Sequence, residues 1–305
     1  MKARAFAVLA AFAIASSFAA AGLDFGSALK DAAGKAGVKG EDVEAVAGAA
    51  KAVAKSAEDI TPEQEFYIGR AVAAKLLSTR KPYVNKAANE YLNLIGLALA
   101  NFSARPETYG GYRFLIIDSD EINAFAAPGG LVLVTRGLLR CASSEDAVAA
   151  IVAHEIAHVT GSHGLKAIKK DRLTKAVVGV GVAAAQVLGS EELSEQTSIF
   201  KDTIGDITGT LVNSGYSRDL EFEADAAAIE TLIAAGYDPR ALVEMLSAMK
   251  SRIKAGGMDF AKTHPDPKKR IEAVEKILKK KKLPATASEA PAARQARFKA
   301  ALGSI

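Results

Sequence analysis

The spacing of hydrophobic residues changes character along this chain. Residues 22–60 are rich in Ala, Lys, Gly and Glu and carry no aromatic after Phe25, which predicts loose helices with too little bulk to build a core. At Thr61-Pro62-Glu63-Gln64 a capping side chain, a first-turn proline and a glutamine able to reach back mark a helix start, and the compact domain begins there. Apolar residues then recur at helical spacing through Tyr91, Leu92, Leu94, Ile95 and Leu99. The pattern becomes strand-like in RFLIID, residues 113–118, and in NAFAAPGGLVLVTRG, residues 123–137, where Pro128-Gly129-Gly130 can turn the chain between a short strand and a longer one. Almost everything that follows reads as helix. The expected class is mainly α with one small β-sheet (α+β) of about three strands.

Residues 1–21, MKARAFAVLAAFAIASSFAAA, place Lys2 and Arg4 before an apolar run that closes on small residues, the pattern of a secretory signal cleaved after Ala21. The alternative is an uncleaved anchor at the short end of the spanning range. Export to the periplasm or medium is therefore expected, with a lead segment over 22–60, the compact domain over 61–282 and a mobile Ala- and Pro-rich tail over 283–305. The stretch AVVGVGVAAAQVL, Ala176 to Leu188, is too short to cross a bilayer and reads as a buried helix or interior loop, with a membrane-touching flap as the alternative. Lys279 to Lys282 suit the negative end of the preceding helix.

Composition narrows the classes further. Losing Lys2 and Arg4 with the leader would lower the net charge from +4 to +2, a near balance that argues against nucleic acid as partner. Cys141 is the only cysteine, so an exported chain has no intramolecular disulfide; its apolar neighbours predict a buried small hydrophobe.

Three of the four histidines lie in HEIAHVTGSHG, residues 154–164. Ser143, followed by Glu145 and Asp146, predicts a helix start and Gly161 a stop, while Val148, Val152, Ile156 and Val159 form a core-facing stripe. Four residues turn a helix by about 400°, so His154 and His158 project from one face and can chelate a single ion. Glu155, about 100° round from His154, reaches past that ion toward an open coordination position, where a general base belongs. Zinc suits such a donor set because it is redox-inert, accepts nitrogen and carboxylate, and acidifies water.

Two candidates compete for third ligand. His163 falls one position short of the H-E-x-x-H-x-x-G-x-x-H pattern, whose last position is Gly164 here; a hydrogen bond near the helix end is its other reading. In GYSRDLEFEAD, residues 215–225, Glu221 and Asp225 are four apart on a helix ending at Gly236. There Glu221 can bind metal while Asp225 takes the free N–H of a ligating histidine. His264, in THPDPKKR, lies in the loop before a helix begun by Asp266-Pro267, with Arg270 in its opening turns; facing the ion, the two could stabilise an oxyanion.

HEIAH, SRDLEFEAD, THPDPKKR and NAFAAPGG together resemble the zinc peptidase family that includes the CAAX prenyl proteases, the heat-shock membrane protease HtpX and soluble periplasmic relatives that tend the outer membrane, the forty-eighth family of metallopeptidases. The likeness spans about residues 61–280. It implies a zincin-like fold and one zinc per chain, held by His154, His158 and Glu221. Glu155 would be the base and Asp225 the support, with Asn123 on the substrate backbone and His264 and Arg270 on the scissile carbonyl. The chain lacks the long apolar spans of the membrane-embedded members, so the soluble branch is the better likeness. The expected function is an exported zinc endopeptidase acting on polypeptides, unfolded or misassembled envelope proteins, at or near a membrane surface. The alternative is a periplasmic chaperone or assembly factor for outer-membrane proteins with a little-used protease site. His264 could also occupy the open metal position at rest and restrain the enzyme.

Overall fold

The computed structural model describes residues 60–166, 205, 207–254, 264, 267–281, 283 and 292–305, all in one compact unit. The expected leader, nearly all of the lead segment and the apolar stretch Ala176 to Leu188 lie outside the described residues.

Helix α1 (Pro62–Leu77) starts on the expected capping box, Thr61 accepting from the Gln64 amide at 3.2 Å and Gln64 from the Thr61 amide at 3.0 Å. Helix α2 (Lys86–Asn101) follows, capped by Asn85. Next come β1 (Arg113–Ile117), β2 (Ala124–Ala127) and β3 (Leu131–Thr135), in spatial order β1-β3-β2 with β1 parallel and β2 antiparallel to β3. Gly129 and Gly130, at φ 77° and 97°, make the β2–β3 turn where a side chain would be strained. The outer edge of β1 is closed by residues 81–83, which bridge Ile117 antiparallel, and by side chains of α2. Asn89 accepts from the Ile116 amide at 2.9 Å, and Asn93 accepts from the Phe114 amide at 3.1 Å while donating to its carbonyl at 2.6 Å. These two side chains complete the pairing of β1 where that short bridge does not reach. Gly96 permits this approach, since a Cβ there would lie 2.4 Å from the Phe114 ring.

The short α3 (Arg136–Leu139) leads to α4 (Glu145–Thr160), which is capped by Ser144, one residue later than the spacing predicts, and ends at Gly161. The expected apolar stripe understates this helix. Every residue from Glu145 to Val159 is buried, because α2, β2 and the later helices α5 (Arg218–Ala234), α6 (Ala241–Lys254) and α8 (Ala292–Leu302) pack around it. Its many alanines let those neighbours approach closely. Helix α7 (Pro267–Lys280) packs on α5 and α6. Cys141 is buried, as its neighbours predict. Mainly α with one three-stranded sheet is the class expected.

The C-terminal expectation needs correction. Residues 292–302 form α8, with Leu302 buried against the core, Arg297 donating to the buried Glu145 carboxylate at 2.6 Å and the Arg140 side chain donating to the Ile305 carbonyl at 3.0 Å. Composition reads this stretch as mobile because its anchors are partners about 150 residues away in sequence. No described helix is long and apolar enough to cross a membrane.

Candidate active site

Helices α4 and α5 pack side by side, and the i, i+4 pairs on each face the other. His154 Nε2 and His158 Nε2 lie 3.1 Å apart, and each is 3.5 Å from one oxygen of the Glu221 carboxylate. His264, reaching in from the segment before α7, puts Nδ1 at 3.0 and 3.1 Å from the same two oxygens. One ligand atom from each of these four buried residues falls within 4.8 Å of all the others. Two imidazole nitrogens, a carboxylate and a third imidazole converging at this spacing form the donor set of a zinc-type cation, so the residues fit such a metal.

The nitrogen of His154 that faces away from this convergence, Nδ1, lies 3.0 Å from Asp225. His163 is not among the four; its Nδ1 is 2.8 Å from His158 Nδ1, on the far side of that ring from the other donors. Glu155 lines a small cavity with Ala124, Ala126, Leu211, Gly215, Tyr216 and His264, with space for about one water.

Two expectations change in detail. Arg270 does not face this cavity. Its Nε and Nη2 grip Asp225 at 2.8 and 2.7 Å, and Nη1 pairs with Glu221 at 2.9 Å as an ion pair not aligned for a hydrogen bond. A fully buried guanidinium engaged by two carboxylates supports the donors from behind and is not directed at a scissile carbonyl. Asn123 immediately precedes β2, but its side-chain oxygen accepts from the Ala124 amide at 2.9 Å. Its carbonyl bonds inward to the Thr135 amide, so by strand alternation the backbone groups of Ala124 and Ala126 point to the free edge beside Glu155.

Tyr216 is a contributor that sequence reasoning passes over, although it stands in the quoted GYSRDLEFEAD. Its ring stacks on His158 at 4.2 Å and 18°, and its hydroxyl is 3.5 Å from the Ala126 carbonyl. Gly215, at φ 66°, delivers it there after a π-turn, Thr210–Ser214. An aromatic beside a glycine just ahead of the acidic helix is the only sequence signal.

Electrostatics separate the groups. Burial, the largest influence on His154, disfavours its cationic form, as does Arg270, but hydrogen bonds to Asp225 and Glu221 outweigh both and raise its pKa to about 9. Burial drives His158 well below its ordinary value. Burial also opposes the charge on Glu221 and Asp225, yet His264 and Arg270 hold Glu221 well down and Arg270 holds Asp225 down. For Glu155 burial prevails and its pKa is raised, the direction a general base needs.

Comparison with known proteins identifies the family. Residues 86–278 match the family model of "Peptidase family M48". The "Beta-barrel assembly-enhancing protease" of Escherichia coli K12 is 28% identical over 215 residues, covering 68% of this chain and 42% of that protein. A "Putative beta-barrel assembly-enhancing protease" of Vibrio cholerae is 31% identical over 219 residues, covering 70% and 43%. The "Mitochondrial metalloendopeptidase OMA1" of Schizosaccharomyces pombe is 34% identical over 170 residues, covering 53% and 45%. In each case the match spans less than half of the relative's length.

Proposed function

From the premise that this chain belongs to peptidase family M48, we propose that it is an exported zinc endopeptidase with one zinc held by His154, His158 and Glu221. The observation that carries this reading is the meeting of two Nε2 atoms from α4 with one carboxylate from α5, next to a buried Glu155 that lines the adjoining cavity. Zinc would supply a Lewis acid able to polarise a carbonyl and acidify water. Glu155 takes the proton of the attacking water and returns it to the leaving amine, and burial keeps its basicity suited to both transfers. Asp225 fixes the His154 ring, and Arg270 fixes Asp225 and Glu221. A substrate strand pairs along the free edge of β2 between Asn123 and Ala126, so affinity comes from backbone groups and side-chain preference is modest. His264, already against Glu221, would be a fourth residue able to hold the metal at rest and so restrain the enzyme.

The substrates proposed are unfolded or misassembled envelope polypeptides at or near a membrane surface, supported by the leader pattern and by the names of the bacterial relatives. The words "assembly-enhancing" in those names also favour a second reading, an assembly factor that cuts rarely. Digestion of casein by the zinc-loaded protein, with and without chelator, and by Glu155→Gln tests the first. The variant should bind zinc and lose about 100- to 10,000-fold in rate; full activity in it removes Glu155 from the mechanism. Complementation of a deletion strain by Glu155→Gln would favour the assembly factor.

A further inference from the structure

Helix α4 ends through a left-handed residue just past its C-cap, as many helices do, but here that residue is a serine where glycine is usual. Ser162 has φ 52°, the only positive φ of a non-glycine residue among those described, a backbone state that L side chains rarely adopt. The bend returns His163 to the helix it has just left. Its ring lies over Gly161, where a Cβ would be 2.3 Å from His163 Nε2, so the return needs glycine at that position. His163 is fully buried, and its Nδ1 stands 2.8 Å from Nδ1 of His158. Tyr216 covers the flat face of His158 and meets His163 edge-on, with centroids 5.8 Å apart.

We propose that His163 is a positioning residue for His158, accepting its Nδ1–H and so fixing which nitrogen faces the metal; this rests on the reading that His154, His158 and Glu221 hold zinc. Two facing ring nitrogens at 2.8 Å need one proton between them, because two protons or two lone pairs would repel. His158 Nε2 is the nitrogen turned toward His154 and Glu221, and a nitrogen that gives its lone pair to a metal carries no proton. The His158 proton is then on Nδ1, and His163 Nδ1 is the acceptor. Neutral His163 must carry its own proton on Nε2, the nitrogen 3.6 Å from the Glu223 carboxylate, which Lys166 holds at 3.2 Å. This tautomer choice gives the close Nδ1–Nδ1 pair one donor and one acceptor, and turns the His163 Nε2–H toward the Glu223 carboxylate, which lies beyond hydrogen-bond length. It parallels the other ligand, whose Nδ1 is held by Asp225. It also accounts for a histidine one position out of register for a third ligand: it braces a ligand instead.

The test is zinc affinity, measured on the whole chain by competition with a chromophoric chelator. His163→Leu should bind one zinc per chain about 10- to 100-fold more weakly than wild type. His163→Asn, whose amide oxygen can accept where Nδ1 does, should recover most of that loss. In proton NMR of the zinc-loaded protein, the His158 Nδ1–H resonance should persist in His163→Asn and broaden by exchange in His163→Leu. Wild-type affinity in His163→Leu overturns the proposal. Loss of zinc binding altogether, as expected for Glu221→Ala, would make His163 a ligand and also overturns it. If His163→Leu does not fold, His163→Asn decides: loss of both the resonance and the affinity overturns the proposal. Wild-type protein that binds no zinc would instead refute the metal reading beneath it.

Discussion

Replacing Arg270 by leucine tests the electrostatic design of the centre most severely. The side chain is fully buried and satisfies Asp225 through two hydrogen bonds of 2.8 and 2.7 Å and Glu221 through a 2.9 Å ion pair. Leucine fills much of the volume but leaves two buried carboxylates facing one another across a low-dielectric space. Breaking a buried pair by removing one partner costs about 3–5 kcal/mol. For a domain of this size each kcal/mol shifts Tm by about 2–4 °C, so the metal-free variant should melt about 6–20 °C below wild type. A bound divalent cation would neutralise Glu221 from its other side, so the loss should be smaller in zinc, and the Tm gap between zinc-loaded and chelator-treated protein should widen. Scanning calorimetry in both conditions measures both quantities. Arg270→Lys, which keeps the charge but not the two-pronged contact, should fall between them. If metal-free Arg270→Leu melts within about 2 °C of wild type, or the gap fails to widen, Arg270 does not hold these carboxylates and the reasoning fails.

Other outcomes follow from the same contacts. Arg297→Ala removes bonds of 2.6 and 3.2 Å to Glu145 but leaves its contacts with Tyr91 and Tyr237. It should cost about 1–2 kcal/mol in urea unfolding, the low side because Arg297 is half-exposed; an unchanged midpoint would mean α8 is not anchored through this pair. Burial and the neighbouring Glu145 push the Tyr237 hydroxyl up to about 12, and burial pushes Tyr112 up to about 12. Both are protonated in the folded and unfolded chain below about pH 10, where the unfolded tyrosine begins to ionise, so their contribution is complete there and is lost as pH rises toward 12. The urea midpoint should decline across that window, and a flat profile contradicts the shifts. His264→Ala should raise the initial rate on casein if this residue occupies the open ligand position at rest, and a fall would instead assign it to the oxyanion.

Much of the centre was legible in sequence because its logic is local. A capping box, the i, i+4 placement of His154 with His158 and of Glu221 with Asp225, and the glycine turn before β3 are all settled within a few residues, where backbone geometry alone fixes which side chains share a face. Spacing put His163 one position out of register and so favoured Glu221 as the third ligand, but it could not place either one against the histidine pair. Packing of α5 on α4 placed the Glu221 carboxylate against both Nε2 atoms, while the bend at Ser162 turned His163 to the opposite side of His158. The same limit explains Arg270, which a linear reading aimed at substrate and the fold turned toward Asp225. It explains Tyr216, brought onto His158 by a π-turn, and α8, read as a tail until Glu145 supplied its partner. Residue identity and period determine the direction of a side chain about its own helix axis. The register and rotation of one helix against another are decided by how the whole core packs, and that sum over distant contacts exists only in the folded molecule.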